Sequence, residues 1–479
     1  MKKYRYILAI FAIFLASCTT DFEEINTNPN APVAVQPSLL LRQVMYNFGE
    51  NMSYEGFVAG DLLAQHRTAL DFNLFDRHDL KSPQLGGNPW SIFYTNLRDN
   101  EIILKQAKET PAFAVYEGPA LILKAYMAAG LTDLFGDVPY FEAFNGIEGT
   151  VTPAYDLQED IYQNENGILD NLDKGIAAIN NYTGSIPLEG DILYNGNLDR
   201  WIQFANSLKI KYLIRISAKV DVATQLQTLF DNGNYIQSNS ENAVFDFTNS
   251  EPNSFRLAQL RVGDFNNFVL SETMEEILTD LDDTRINTFF RPFANATGNE
   301  YKGLINGIDA SSTSVALSDY SLAGTAFRED TSGLDANFMT AWETNFLLAE
   351  AAVKGFINAD AETLYNTGVT QAFEFWNTTL PTTYLATNAN YNAVGTSPLN
   401  QIITQKWIAS LINGYEGWIE YRRTGFPALK EVSASLNAGL IPVRMPYPAE
   451  ASSLNSENYN KAAAATNGNS LDAKVWWNE

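Results

Sequence analysis

From Ser38 onward, apolar residues recur at intervals of three and four, the spacing that lines one face of an α-helix. The pattern predicts helices over about 38–48, 53–66, 89–108, 117–133, 156–181, 198–218, 268–281, 335–356, 360–377 and 400–413. In 198–218, Trp201, Phe204, Ala205, Leu208 and Tyr212 fall on one stripe and are expected in the core, with Lys209 and Lys211 mostly outside it. Long segments rich in Gly, Asn, Ser and Thr separate the helices, at about 67–89, 182–197, 247–267, 291–334 and 379–399. Loops of that length in a compact domain are usually functional or mobile. Strand signals are short, and 242–247 (NAVFDF) is the best of them.

One helix pair has the character of a repeat. Phe346 to Ala352 (FLLAEAA) leads to Gly355-Phe356, then to Ala361, Tyr365 and Ala372-Phe373. Small residues let a partner helix approach, and a glycine turn reverses the chain. The spacing resembles a tetratricopeptide unit, whose period is about 34 residues. Three clean copies do not occur, so the spacing supports helix pairs and not a regular solenoid.

Charge and cysteine content exclude several functions. Asp and Glu number 56 against 31 Lys and Arg, a formal charge of −25 over 479 residues. Such a chain repels phosphate backbones, so nucleic acid is not an expected partner, and neutral ligands are favoured over polyanions. Two histidines, His66 and His78, leave little room for a histidine-built zinc site or a Ser-His-Asp triad. The single cysteine, Cys18, excludes an intrachain disulfide and a CxxC redox pair.

The position of that cysteine is informative. Lys2, Lys3 and Arg5 precede an apolar run, Ile7 to Leu15, that is too short to span a bilayer. It reads as a secretory signal peptide. The run ends in Leu15-Ala16-Ser17-Cys18 and resembles a bacterial lipobox. That resemblance implies cleavage before Cys18 and acylation of the cysteine, with several acyl chains giving a stable anchor. The expected organisation is a signal peptide at 1–17, a lipidated tether at 18–37 rich in Asn and Pro, and a single binding domain at 38–479. The acidic stretch Asp21-Phe22-Glu23-Glu24 resembles the surface-export signal of lipoproteins in glycan-degrading Gram-negative bacteria.

Further segments carry a family resemblance: Asn26 to Asn30 (NTNPN), Trp90 with Phe93-Tyr94, Leu134 to Tyr140 (LFGDVPY) and Trp201 to Ser217. Others are Phe346 to Ala352, Gln405-Lys406-Trp407 through Gly417-Trp418 to Gly425, Arg444 to Pro448 (RMPYP), and Trp476-Trp477. In this order over nearly the whole chain, they make it resemble the SusD/RagB-type outer-membrane lipoproteins, in the SusD-like nutrient-binding subgroup. Where that family often shows Asp-Pro-Arg, this chain has Asp283-Thr284-Arg285, and the turn is expected to be kept. The resemblance implies a mostly α fold, with tetratricopeptide-like helix pairs packed against a loop-rich half. It implies a partner, a SusC-type TonB-dependent outer-membrane barrel, and a nutrient ligand that is an oligosaccharide or, in some members, a peptide. It implies no cofactor and no enzyme activity. Location at the outer membrane, through the lipid anchor only and facing the exterior, follows from the same likeness.

Residue chemistry identifies candidate contacts. Sugar rings stack on aromatics, and their hydroxyls suit amide and guanidinium partners. The loops supply Phe72, Phe75, Arg77, Asn88, Trp90, Phe265, Asn266 and Tyr320 as ligand-binding candidates, with His78, Phe255, Arg256, Asn267 and Tyr301 nearby. Gly136 to Pro139 reads as a structural turn, and Arg422-Arg423 beside Glu416 and Glu420 as internal ion pairs. A glycosidase needs two carboxyls facing across a cleft. Glu275, Glu276, Asp280, Asp282 and Asp283 sit along one expected helix and its end, a poor arrangement for that chemistry or for a calcium loop.

Overall fold

The computed structural model describes residues 35–82 and 85–478; Cys18, the signal peptide and most of the tether lie outside them. Among the described residues the longer helices are α1 (Pro37–Glu55), α2 (Trp90–Glu109), α3 (Glu117–Phe135), α4 (Ile168–Asn181), α5 (Leu198–Ile216) and α6 (Ala223–Asn232). They continue as α7 (Glu272–Asp280), α8 (Ala341–Val353), α9 (Ala361–Phe375), α10 (Pro398–Ala409), α11 (Glu416–Thr424) and α12 (Ser456–Ala465). Four short strands form two antiparallel pairs: β1 (Arg67–Ala69) with β3 (Phe268–Leu270), and β2 (Ala243–Asp246) with β4 (Asp335–Met339). The mostly helical architecture anticipated from the sequence is present.

Successive helices pack as neighbours, α1 on α2, α2 on α3, α3 on α4 and α4 on α5, and α8 packs on both α9 and α10. The α8–α9 pair is the repeat-like unit read from the sequence. Helix α3 is apolar along most of its length and buried on nearly every side, as expected of a helix enclosed by its neighbours. No described helix is long and apolar enough to cross a membrane.

The departures from expectation have local causes. The stretch 53–66 leaves α1 through a π-helical turn at Gly56–Gly60 and ends before β1. The stretch 156–181 breaks into two helices at Asn166, whose φ is +62°. The stretches 268–281 and 335–356 each open with a strand. Ser271 then caps α7 by accepting from the Met274 N–H, and Thr340 caps α8 by accepting from the Glu343 N–H. Short apolar runs such as Phe268-Val269-Leu270 suit a buried strand as well as a helix, so periodicity alone does not separate them.

The α5 stripe is core as expected: Trp201, Phe204, Ala205, Leu208 and Tyr212 are all buried. Lys209 lies on the outer side and pairs with Asp173. Lys211 corrects the expectation, because it too is buried, with Nζ 2.9 Å from Glu343 and 3.1 Å from Glu416. It belongs to a charge network where α3, α5, α8, α10 and α11 converge. Arg215 reaches Glu416 at 2.5 Å and Asp133 at 3.6 Å. Lys406 reaches Glu420 at 3.4 Å, and Arg423 clamps Glu350 at 2.5 Å and Glu420 at 2.6 Å. Arg422 instead donates to the Val443 and Asp133 carbonyls and stacks on Trp418 at 4.0 Å. Of the two arginines read as internal, Arg423 therefore makes ion pairs and Arg422 ties backbone together.

Burial alone would raise the Glu416 carboxyl, but Arg215, Lys211 and Lys406 outweigh it and hold the group down to about 2. Its ordinary value is 4.5, so its contribution to stability is complete above pH 4.5 and is lost as pH falls toward 2. Denaturant midpoints should fall over that window, and less steeply in Glu416→Gln. Arg423→Met leaves Glu350 and Glu420 buried without their clamp. Urea unfolding should show a loss of about 3–5 kcal/mol, the usual cost of removing one partner of a buried pair.

Candidate functional site

The β1–β3 ladder organises the loop-rich half. Its register is Arg67↔Leu270, Thr68↔Val269 and Ala69↔Phe268. A third segment joins it, since Val269 bridges to Leu322 and the Leu270 N–H donates to the Ser321 carbonyl at 2.9 Å. Val269, Leu304 and Ile308 form a small core on this layer, covered by Leu70, Val315 and Tyr320.

The loops leaving β1 and entering β3 are fastened to each other. The Asp71 N–H donates to the Asn267 side-chain oxygen at 2.8 Å, and the Asn267 amide donates back to the Asp71 carbonyl at 2.7 Å. Phe72, at the tip of this clasp, has φ +48°, and its N–H donates to its neighbour's carboxylate at 2.8 Å. The residue is 73% exposed, a large apolar side chain offered to solvent on a fixed backbone.

Asp76 fixes the floor beneath. Its carboxylate accepts from Thr68 Oγ1 and the Asn306 amide at 2.7 Å each, from the Gly307 N–H at 2.8 Å and from the Ala69 N–H at 3.3 Å. Burial raises its pKa, and those four donors oppose the rise. Sequence reasoning missed Asp76 and Asn306, because the bonds between them span 230 positions. Arg77, half-buried, donates to the Ala434 carbonyl at 2.8 Å and lies 3.8 Å from Asp309.

The candidate residues divide by placement. Phe72, Asn266 and Tyr320 are at least partly accessible on the loop face. The ladder sets Tyr320 level with Ser271 and the Phe72 clasp level with Asn267. Four residues at roughly 3.3 Å each separate the two aromatics by about 13 Å along the strands. Lys302 lies 5.3 Å over the Tyr320 ring. Asn88 is exposed on a different surface, its amide 3.4 Å from Glu450. Trp90 is half-buried against Tyr94, Phe135 and Tyr447.

Phe75 and Phe265 correct the sequence reading. Phe75 is only 4% exposed, and Phe265 is fully buried, stacked on Phe57 with centroids 5.3 Å apart. Both rings are drawn into the main hydrophobic core, and neither offers a face to a ligand. His78 is also buried, its Nδ1–H donating to the Leu440 carbonyl at 3.2 Å, and burial pushes its pKa down to about 4.

The acidic candidates do not face one another across a cleft. Glu275 accepts from the Gly303 N–H at 2.9 Å, Glu276 pairs with Lys430 at 2.5 Å, and Asp283 is buried against Arg285 and Tyr384. The Asp283-Thr284-Arg285 turn is kept: the guanidinium binds its own Asp283 and Gln405, while the Thr284 hydroxyl donates to the Thr379 carbonyl. His66 and Asp61 form a 2.9 Å pair, but both are buried beside Arg67, which stacks on Phe57 and Phe327. Among the described residues no three His, Cys, Asp or Glu side chains gather as metal ligands.

This architecture recurs in solved structures. A chitin-binding protein is 26% identical, with a TM-score of 0.78 over 92% of this chain and 100% of its own. A chitin-binding SusD homologue from Flavobacterium johnsoniae (23% identical, TM-score 0.76, 92% and 98% covered) shares the fold. So does a SusD homologue from Bacteroides fragilis (21% identical, TM-score 0.77, 93% and 100% covered). No curated protein matches. Residues 29–448 match the SusD-like family model described as starch-binding and associating with the outer membrane, and the chain belongs to that family.

Proposed function

We infer that this chain is a surface-exposed, lipid-anchored nutrient-binding protein that captures an oligosaccharide and hands it to a SusC-type TonB-dependent transporter, without cleaving it. The observation that carries the glycan reading is the loop face with Phe72 at its tip. An exposed ring on a clasped backbone presents an apolar plane with little ordering cost, and Tyr320 supplies a second one further along. Asn266 stands beside the clasp as a partner for hydroxyls. Starch and chitin oligosaccharides are the first ligands to try, given the family description and the similarity to a chitin-binding protein. The lipobox-like Leu15 to Cys18 and the family's outer-membrane association support anchoring through Cys18. The domain limits proposed are those read from the sequence, with the binding body at 38–479.

Isothermal titration with maltotriose, chitotriose and peptides of matched size tests the ligand class. Phe72→Ala should weaken oligosaccharide binding roughly five- to tenfold, the worth of about one aromatic contact, with an unchanged melting temperature. Binding of the peptides alone overturns the glycan reading. Cys18→Ala should abolish incorporation of labelled palmitate and release the protein from the membrane fraction. Persistence of both would remove the anchor from the proposal.

A further inference from the structure

A second concavity lies on the helical half. It is a groove of about 1030 Å³ between α2, α3 and α4, closed at one end by the chain following α4. It shares no residue with the Phe72 face. Half-buried aromatics stand at its two ends, Phe141 near the start of α4 and Tyr182 just past its last residue. Helix α4 lies between them, and its lining residues Asn171 to Asn181 span about 15 Å at 1.5 Å per residue. That is room for about three sugar rings, each roughly as long as the 5 Å pitch of the helix they would lie along.

Tyr182 is held in place. Its hydroxyl donates to the Ile186 carbonyl at 2.9 Å and accepts from the Ile186 N–H at 3.0 Å. Gly184 lies against the same ring, where a Cβ would fall 2.6 Å from the Tyr182 hydroxyl oxygen, so the close approach requires glycine.

The walls carry both hydrogen-bond donors and acceptors, Lys108, Lys124 and Lys174 with Glu101 and Glu117. Lys124 pairs with Glu101 at 2.6 Å while its Nζ sits 5.4 Å over the Tyr140 ring, and Lys174 pairs with Asp170 at 2.8 Å. Asn181 adds an acceptor and an amide donor on the same walls. A polyanion would meet the glutamates, and a polycation the lysines. A sugar hydroxyl donates and accepts at once, and so suits a wall of both kinds.

We propose that the groove between α2, α3 and α4 is a second binding site, for a short neutral oligosaccharide lying between Phe141 and Tyr182. The proposal rests on the glycan reading above for its ligand class, and the two sites are separated by variants. Titration of the full chain with maltotriose and with chitotriose should fit two sites with one of them. Phe141→Ala and Tyr182→Ala should each weaken the groove site roughly tenfold and leave the other site intact. Phe72→Ala should do the reverse. Because Tyr182→Ala also removes the hydroxyl that ties Ile186, melting curves and the Tyr182→Phe variant accompany it. Tyr182→Phe keeps the ring and should keep the binding.

A single site abolished by Phe72→Ala and untouched by both groove variants overturns this proposal and leaves the first reading standing. Binding abolished by the groove variants and untouched by Phe72→Ala sinks the Phe72 face instead and supports the groove. Binding only of charged peptides at the groove overturns the ligand class assigned here.

Discussion

The helical half is held together by a buried set of charges that must balance. Asp133, Glu343, Glu350, Glu416 and Glu420 face buried Lys211, Arg215, Lys406 and Arg423, with Lys354 also on Glu350, five carboxylates and five cations. Each ion is costly to bury, and mutual attraction offsets the cost only where geometry satisfies every partner. Apolar stripes tolerate small shifts in register, whereas each of these ions lies within 4 Å of an opposite charge. The network is the point at which α3, α5, α8, α10 and α11 meet.

The loop-rich half uses a different device. There a single buried carboxylate, Asp76, collects four donors from two segments, Thr68-Ala69 and Asn306-Gly307, and the Asp71–Asn267 clasp joins the two loops above it. Long loops become a defined surface because their backbone groups are satisfied by side chains instead of by a wide sheet. That is how a fold with only short strands still fixes an exposed ring such as Phe72.

The helices and the α8–α9 pair were legible in the sequence because their information is local: small residues, glycine turns and stripes at the helical spacing. Lys211 was misplaced because a stripe argument counts apolar residues, and a lysine whose charge is met by Glu343 and Glu416 behaves as core. Phe75 and Phe265 were misassigned for a related reason. Neighbouring Asn and Gly residues mark a loop but do not say whether its aromatics anchor the loop or extend from it. Phe72 and Phe75 are three positions apart and point to opposite fates, and only the fold distinguishes them.

The electroneutrality of the buried network reaches beyond folding. Since its ions cancel, the whole excess of −25 belongs to residues outside it. At physiological salt that charge is felt over about 8 Å, so two copies brought side by side repel before their surfaces meet.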